Sequence, residues 1–390
     1  MDKTVTVLCS AALVFIGASL YDTAQLRRGK KPLTDFQRFL FGTGFSYVMI
    51  VFWEMLQFFV DYYVKGSELQ HFNSAPGSTD LFLKLFGVGK SGEAQFPVWD
   101  IDTDFLCCVL GAALGGAALL IVSAVKNKRN GDYENGLFYG MKKTPDFSQY
   151  IKNEFETFRS QISVFEYICW WILRGLLIYM LVKEVKEEGF GAHALQFSAN
   201  IGVTFIIPVT RVLFFKKLFF GNINFRVQSY IDLIIFLGNF LGIGVGWTGE
   251  IENYDKFVHF ISGAITVAIG LLLIEGIRAG KGLPKTTKAA ASCGFSCVVM
   301  VLWEVFEFIA DFVMADSQNQ NWSYNPSGRM LFYEIFGYGA QNPGQLGVFD
   351  TDLDIFFAAA GTAFAAASLI IVLAIKEKRS VVKLRAEVKA

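Results

Sequence analysis

The chain has 390 residues, with 35 Lys plus Arg against 35 Asp plus Glu and a formal net charge of zero at pH 7. It is 53% hydrophobic and only 18% charged, with a mean hydropathy of +0.41. That balance excludes an ordinary soluble domain and leaves no electrostatic basis for binding nucleic acid. Apolar runs long enough to cross a bilayer, about 20 residues each, recur along the chain. The expected class is therefore all-α, a polytopic helical membrane protein.

Nine spans are expected, at 4–25, 37–64, 103–125, 163–183, 195–215, 229–247, 256–278, 289–313 and 353–375. The first apolar run, Val5 to Leu20, is followed by Arg27, Arg28, Lys30 and Lys31, so it reads as a retained span and not a cleaved leader. Basic residues also follow the third span (Lys126, Lys128, Arg129), the fifth (Lys216, Lys217, Arg226), the seventh (Arg278, Lys281, Lys285, Lys288) and the ninth (Lys376, Lys378, Arg379). Because cytoplasmic loops carry the excess of Lys and Arg, this pattern puts the N-terminus outside and the C-terminus in the cytoplasm. The polar stretch 130–160 reads as a cytoplasmic linker between an N-terminal three-helix unit, 1–129, and a six-helix domain, 161–390. The six cysteines, Cys9, Cys107, Cys108, Cys169, Cys293 and Cys297, lack zinc-finger spacing and read as small buried residues.

Residues 53–129 align without a gap on residues 303–379 at an offset of 250, and 27 of the 77 positions are identical. Trp53-Glu54 falls on Trp303-Glu304, Asp61 on Asp311, and Asp100, Asp102 and Asp104 on Asp350, Asp352 and Asp354. The register extends upstream to Gly44/Gly294 and Arg28/Arg278. Six spans separate the copies, so both have one orientation and form a parallel repeat about an axis near the membrane normal. Spans one to three make the first copy, and spans seven to nine (254–379) the second.

The second copy carries a constellation of acids. Glu304, Glu307 and Asp311 follow i, i+3, i+7 spacing and share one helix face. Asp350, Asp352 and Asp354 lie where the preceding loop enters the ninth span. Asp255 and His259, at i, i+4, share a face at the start of the seventh. Glu304 is the deepest, about 10–14 Å below the outer end of its span at 1.5 Å per residue. A carboxylate at that depth must face the bundle interior and have a partner. Clustered carboxylates stay ionised only with a cation, and otherwise share protons. Oxygen ligands suit Mg²⁺, Ca²⁺ or Mn²⁺, and the histidine also admits Zn²⁺. The plainer alternative is that the Asp triplets cap helix N-termini and the other acids follow the charge bias of outward-facing helix ends.

At the same offset the first copy keeps Glu54, Asp61, Asp100, Asp102 and Asp104, a possible second site. It has Gln57 opposite Glu307, and Thr4, Val5 and Cys9 opposite Tyr254, Asp255 and His259. Outside the repeat, Pro208 predicts a kink in the fifth span. Arg211 is expected to snorkel toward the cytoplasm. Arg174, inside the fourth span, needs a partner, with an acid the natural candidate. The Gly238–Gly249 run permits close helix packing and has no phosphate-loop lysine.

Tyr254-Asp255-Lys256-x-x-His259-Phe260, then Trp303-Glu304-x-x-Glu307-Phe308-x-x-Asp311, then Asp350-Thr351-x-x-Asp354, resembles the VanZ-like superfamily, and within it the YjdF-type bacterial inner-membrane proteins. Pro208-x-x-Arg211 and Gly249-Glu250 fit the same pattern. The resemblance covers about 160–379 and implies a bacterial inner-membrane, cell-envelope location. The first copy is similar only to the last three spans of that unit.

Three functions are compatible with these residues. One is an outer-leaflet site in which His259, Asp255 and Glu304 act on, or bind, a membrane lipid or a lipid-linked, phosphorylated substrate. Glu304, Glu307, Asp311, Asp350, Asp352 and Asp354 would then hold a divalent metal ion. The second is a cation- or proton-coupled transporter, although the cytoplasmic halves of spans two, three, eight and nine show no acid. The third is a non-catalytic envelope or assembly protein in which the acids are interhelical glue. The sequence leaves the oligomeric state open.

Overall fold

The structure, a computed structural model, describes residues 2–27, 33–64, 96–130, 147–214, 223–276, 283–313 and 346–389, with Gly29, Leu69 and Asn319 between them. The described residues are helical and contain no strand. The first copy is α1 (Asp2–Leu26), α2 (Asp35–Tyr63) and α3 (Phe96–Asn130). A middle unit follows: α4 (Phe147–Gln161), α5 (Val164–Glu187), α6 (Ala192–Val203), α7 (Ile206–Phe214), α8 (Arg226–Ile235), a π-helical segment (Phe236–Gly244) and the short α9 (Trp247–Glu250). The second copy is α10 (Tyr254–Gly276), α11 (Lys285–Val313) and α12 (Leu346–Lys389). Among the described residues, eight helices are long and apolar enough to cross a membrane, and α6 with α7, bent by 49°, adds a ninth if the pair is counted as one broken span. Leu81–Phe86 and Met330–Phe336, apolar stretches whose composition suits amphipathic or re-entrant pieces covering the site from outside, lie outside the described residues.

Local chemistry sets the helix starts. Thr34 Oγ1 accepts from the Gln37 N–H at 3.4 Å, while Gln37 Oε1 accepts from the Thr34 N–H at 2.9 Å. Ser163 and Glu166 repeat this reciprocal cap at the head of α5, at 3.2 and 2.8 Å.

The two copies share one bundle core. Val14, Tyr47, Val51, Ile101 and Phe105 of the first pack with Cys297, Val301, Val305, Phe308 and Ile355 of the second. At the centre α2 crosses α11 through Gly44 and Gly294, where a Cβ on Gly294 would sit 2.9 Å from the Gly44 Cα. These two glycines are equivalent under the repeat, so a local two-fold axis passes between them. Only residues without a side chain allow this backbone approach.

The same internal symmetry corrects the register of the first helix. Ser46 Oγ donates to the Ser10 carbonyl at 3.0 Å, and Ser296 Oγ to the Gly263 carbonyl at 3.1 Å. Arg38 pairs with Asp22 at 2.6 Å, and Lys288 with Glu275 at 3.0 Å. Lys3 pairs with Asp104 at 2.6 Å, and Lys256 with Asp354 at 2.6 Å. Residues of α2 and α3 keep the offset of 250, whereas those of α1 take 253, because the α10–α11 connection is three residues shorter than the α1–α2 connection. Met1, Asp2 and Thr6, not Thr4, Val5 and Cys9, therefore correspond to Tyr254, Asp255 and His259. The first copy has an Asp-Lys-x-x-Thr element where the second has Asp-Lys-x-x-His.

In the middle unit the broken span is held by side chains that replace its missing helical bonds. Pro208 has no N–H, so the Thr204 carbonyl four residues earlier loses its helical donor. The Arg174 guanidinium donates to that carbonyl through Nη2 and to Thr204 Oγ1 through Nε at 3.1 Å. Gln228 donates to the Val203 carbonyl at 3.2 Å and accepts from the Ile207 N–H at 3.1 Å. Arg174 also lies over the rings of Phe205, Trp171 and Trp170, with centroids at 4.1, 5.1 and 5.6 Å. The bound partner of Arg174 is thus a carbonyl and an aromatic cage, not the expected acid.

Arg211 does not snorkel. It is 3% exposed, pairs with Glu154 of α4 at 2.6 Å, donates to the Ile223 carbonyl and stacks on Phe225 at 4.4 Å. Tyr150, also on α4, donates to the Arg211 carbonyl at 2.5 Å. Burial first, and then the Glu154 carboxylate, push its hydroxyl up to about 12. The stretch expected to be a linker therefore contains a docked helix over 147–161, while residues 131–146 lie outside the described residues.

Candidate functional site

The beginnings of α10 and α12 and the second half of α11 bring the second-copy acids together around Lys256, to which the sequence alone gives no role. Its Nζ donates to Asp350 Oδ1 and Asp354 Oδ1 at 2.6 Å each and to Asp255 Oδ2 at 2.9 Å. Lys256 is 1% exposed, and its side chain reaches across from α10 to α12. His259 Nε2 stands 3.4 Å from Asp354 Oδ1 and 3.6 Å from Asp255 Oδ1.

Asp350 and Asp354, one helical turn apart on α12, share the face toward Lys256. α12 already begins at Leu346, so both lie inside the helix and neither is its N-cap, contrary to the capping alternative. Asp352, on another face of α12, is 2% exposed.

On α11, Glu304 is 1% exposed, and neither carboxylate oxygen has a hydrogen-bond partner among the described residues. Glu307 is 8% exposed. Ligand-capable atoms of Glu304, Glu307 and Asp354 lie within 4.8 Å of one another, as do those of Asp255, His259 and Asp354. Asp354 is common to both groups. Asp102 of the first copy also lies close enough to Glu304 to act on it electrostatically, so the centre sits near the junction of the two copies.

Asp311 takes no part in either group. Its Oδ1 accepts the Asn319 N–H at 2.8 Å, and Asp61 likewise accepts the Leu69 N–H at 2.9 Å. Both tether the chain that follows their helix. In the first copy Lys3 and Thr6 both bond Asp104, at 2.6 and 2.9 Å. Gln57, with its amide nitrogen turned toward Glu54, donates to Glu54 Oε2 at 3.0 Å and accepts from Trp53 Nε1 at 3.0 Å. Where the second copy sets Glu307 beside Glu304, the first has an amide that satisfies its glutamate. Asp102 is fully buried, and the side chain of Asp100 lies outside the described residues.

Lys256 stands within the Tyr254-Asp255-Lys256-x-x-His259 motif, yet the sequence alone assigns it no role in the site. The signal was the Asp-Lys pair at 255–256, which recurs at 2–3 once the register of the first helix is right.

Fold and site together define an integral, multi-pass helical membrane protein with a buried lysine–carboxylate centre in its second repeat. A family model described as "Predicted membrane protein (DUF2238)" matches residues 171–374, more than half of the chain, and the protein belongs to that family. The match runs from α5 through most of α12 and leaves the first copy outside. No curated protein and no solved structure matches the chain.

Proposed function

We propose that the second repeat holds a divalent cation on Glu304, Glu307 and Asp354, and that this centre binds or acts on an anionic, lipid-type substrate at the outer leaflet. The observation that carries the reading is the Glu304 carboxylate, buried inside the bundle beside two more acids, with neither oxygen hydrogen-bonded among the described residues. Five carboxylates (Asp255, Asp350, Asp354, Glu304 and Glu307) meet one ammonium and one imidazole. Lys256 is already committed to the three aspartates. An uncompensated carboxylate in a bilayer interior costs several kcal/mol, about 2.5–3.5 on insertion scales. A hard divalent ion fits the donor set of oxygens, and the neighbouring Asp255–His259–Asp354 group would suit Zn²⁺. When bound, such an ion supplies Lewis-acid polarisation or orients a phosphate.

Lipid access is supported by Phe257, Trp303 and Phe306, exposed large side chains on the helices that carry the site. The distribution of Lys and Arg among the loops supports an outer-leaflet position, and the VanZ-like, YjdF-type resemblance supports a bacterial inner membrane. His259 with Asp255 is the pair placed to bind or move a proton beside such a substrate.

The test is metal retention by the detergent-purified chain after exchange into Mg²⁺, Ca²⁺, Mn²⁺ or Zn²⁺, together with flotation on vesicles with and without anionic lipid. The expected result is near-stoichiometric retention of one ion, lost in Glu304→Gln and Glu307→Gln, and cation-dependent preference for anionic vesicles. No retained ion in the wild type would overturn the metal reading. Equal binding to neutral vesicles would overturn the substrate class alone.

A further inference from the structure

A second intramembrane carboxyl lies outside the acidic centre, in the middle unit that has no counterpart in the repeat. Asp232 on α8 is 5% exposed. Its Oδ1 accepts from Gln228 Nε2 at 2.6 Å, and its Oδ2 has no hydrogen-bond partner among the described residues. Gln228 is the same side chain that bridges the break in the fifth span, so Asp232 is one bond removed from the broken backbone.

The charged surroundings of Asp232 are sparse. α8 packs on α5, α7, α10 and the π-segment. From these elements one charged group acts on Asp232, Arg174 of α5. Arg174 forms no ion pair with it: its guanidinium bonds Thr204 and is enclosed by three aromatic rings. In this region α10 contributes Ile265, Ile269 and Leu272, and α7 contributes Ile207. The π-segment that begins four residues after Asp232 contributes apolar Phe236 and Phe240 and the amide of Asn239, whose Oδ1 is also unpartnered.

From this geometry we infer that Asp232 is a proton-binding site within the membrane, carrying a proton on Oδ2 at neutral pH. An ionised carboxylate needs a second donor or a contacting cation in such a setting, and the described residues supply neither. A neutral carboxyl leaves at most one hydroxyl to satisfy. The location favours a site that responds to its protonation state. It adjoins a broken span and a π-helical segment, both of which have loosened backbone bonding. The π-segment reaches the acidic centre through Tyr254, whose hydroxyl donates to the Leu237 carbonyl at 2.8 Å immediately before Asp255.

Infrared difference spectroscopy on the purified full-length chain tests this directly. The expected result is a carbonyl stretch of a protonated carboxyl at neutral pH that Asp232→Asn lacks and Glu304→Gln retains. The isosteric, uncharged Asn mimics the protonated side chain, so that variant also keeps the wild-type melting temperature. Should it fail to fold, Asp232→Glu keeps a carboxyl and shifts the band. Absence of the band in the wild type, its persistence in Asp232→Asn or an unshifted band in Asp232→Glu overturns the inference. So does a band that responds to Na⁺ at fixed pH, because the carboxylate would then hold a metal cation.

Discussion

Replacing Lys256 by Met separates the two copies of the repeat energetically. The ammonium contacts three carboxylates, and two of them, Asp350 and Asp354, have side chains only 1% and 3% exposed. Methionine fills much of the same volume but leaves those charges without a cation. Breaking a buried ion pair from one side typically costs about 3–5 kcal/mol, mostly because the orphaned charge stays buried. At the equivalent position, the Lys3–Asp104 pair is less deeply buried, with side chains 10% and 14% exposed. A charge-assisted hydrogen bond in that setting is worth about 1.5–3 kcal/mol. Lys256→Met is therefore expected to destabilise the protein by roughly 2 kcal/mol more than Lys3→Met, the difference between those ranges. Adding Asp354→Asn should recover part of the loss by removing one of the stranded charges. Equilibrium unfolding in mixed detergent micelles, followed by circular dichroism, measures all three variants. Equal losses for the two lysines, or no recovery in the double variant, would refute the view that Lys256 is the counter-ion of the acidic centre.

Other positions give independent checks. Glu154→Ala strands the buried Arg211 guanidinium, and by the same reasoning should cost about 3 kcal/mol and speed hydrogen exchange across Phe147–Gln161. Gly294→Val places a side chain where even a Cβ would sit 2.9 Å from the Gly44 backbone. It should cost at least ~1–3 kcal/mol of overpacking strain, visible as a lower melting temperature. Arg174→Lys keeps the charge but loses the planar fork that serves the Thr204 carbonyl and hydroxyl together. A loss of about 1–2 kcal/mol is expected, checked by thermal unfolding, and wild-type stability would count against the role given to Arg174 at the break.

The helical class, the spans and the orientation of the repeat follow from hydropathy and from one ungapped register, because α2 with α3 and α11 with α12 differ in sequence but not in spacing. The first helix escaped because a three-residue difference in a short polar loop shifts its register, and in apolar helices identities are too few to show the slip. Asp2-Lys3 and Asp255-Lys256 became equivalent only when Asp104 and Asp354 were seen to bind the two lysines. Charged side chains inside spans were visible in the sequence, but their partners were not. Arg174 finds a backbone carbonyl and Arg211 a carbonyl together with Glu154; Pro208 marks the carbonyl it frees, but nothing in the sequence says which side chain reaches it. Helix spacing puts Glu304, Glu307 and Asp311 on one face, but it carries no sign that Asp354, on another helix, would share a group with the first two while Asp311 bonds the Asn319 N–H.

The proposed function stands or falls on a divalent ion held by Glu304, Glu307 and Asp354. Anomalous scattering from crystals of the protein equilibrated with Mn²⁺ would test it most directly. The expected result is a single strong peak within bonding distance of those three carboxylates, absent in crystals of Glu304→Gln. Ordered side chains at Glu304, Glu307 and Asp354 with no peak between them at saturating Mn²⁺ would contradict it.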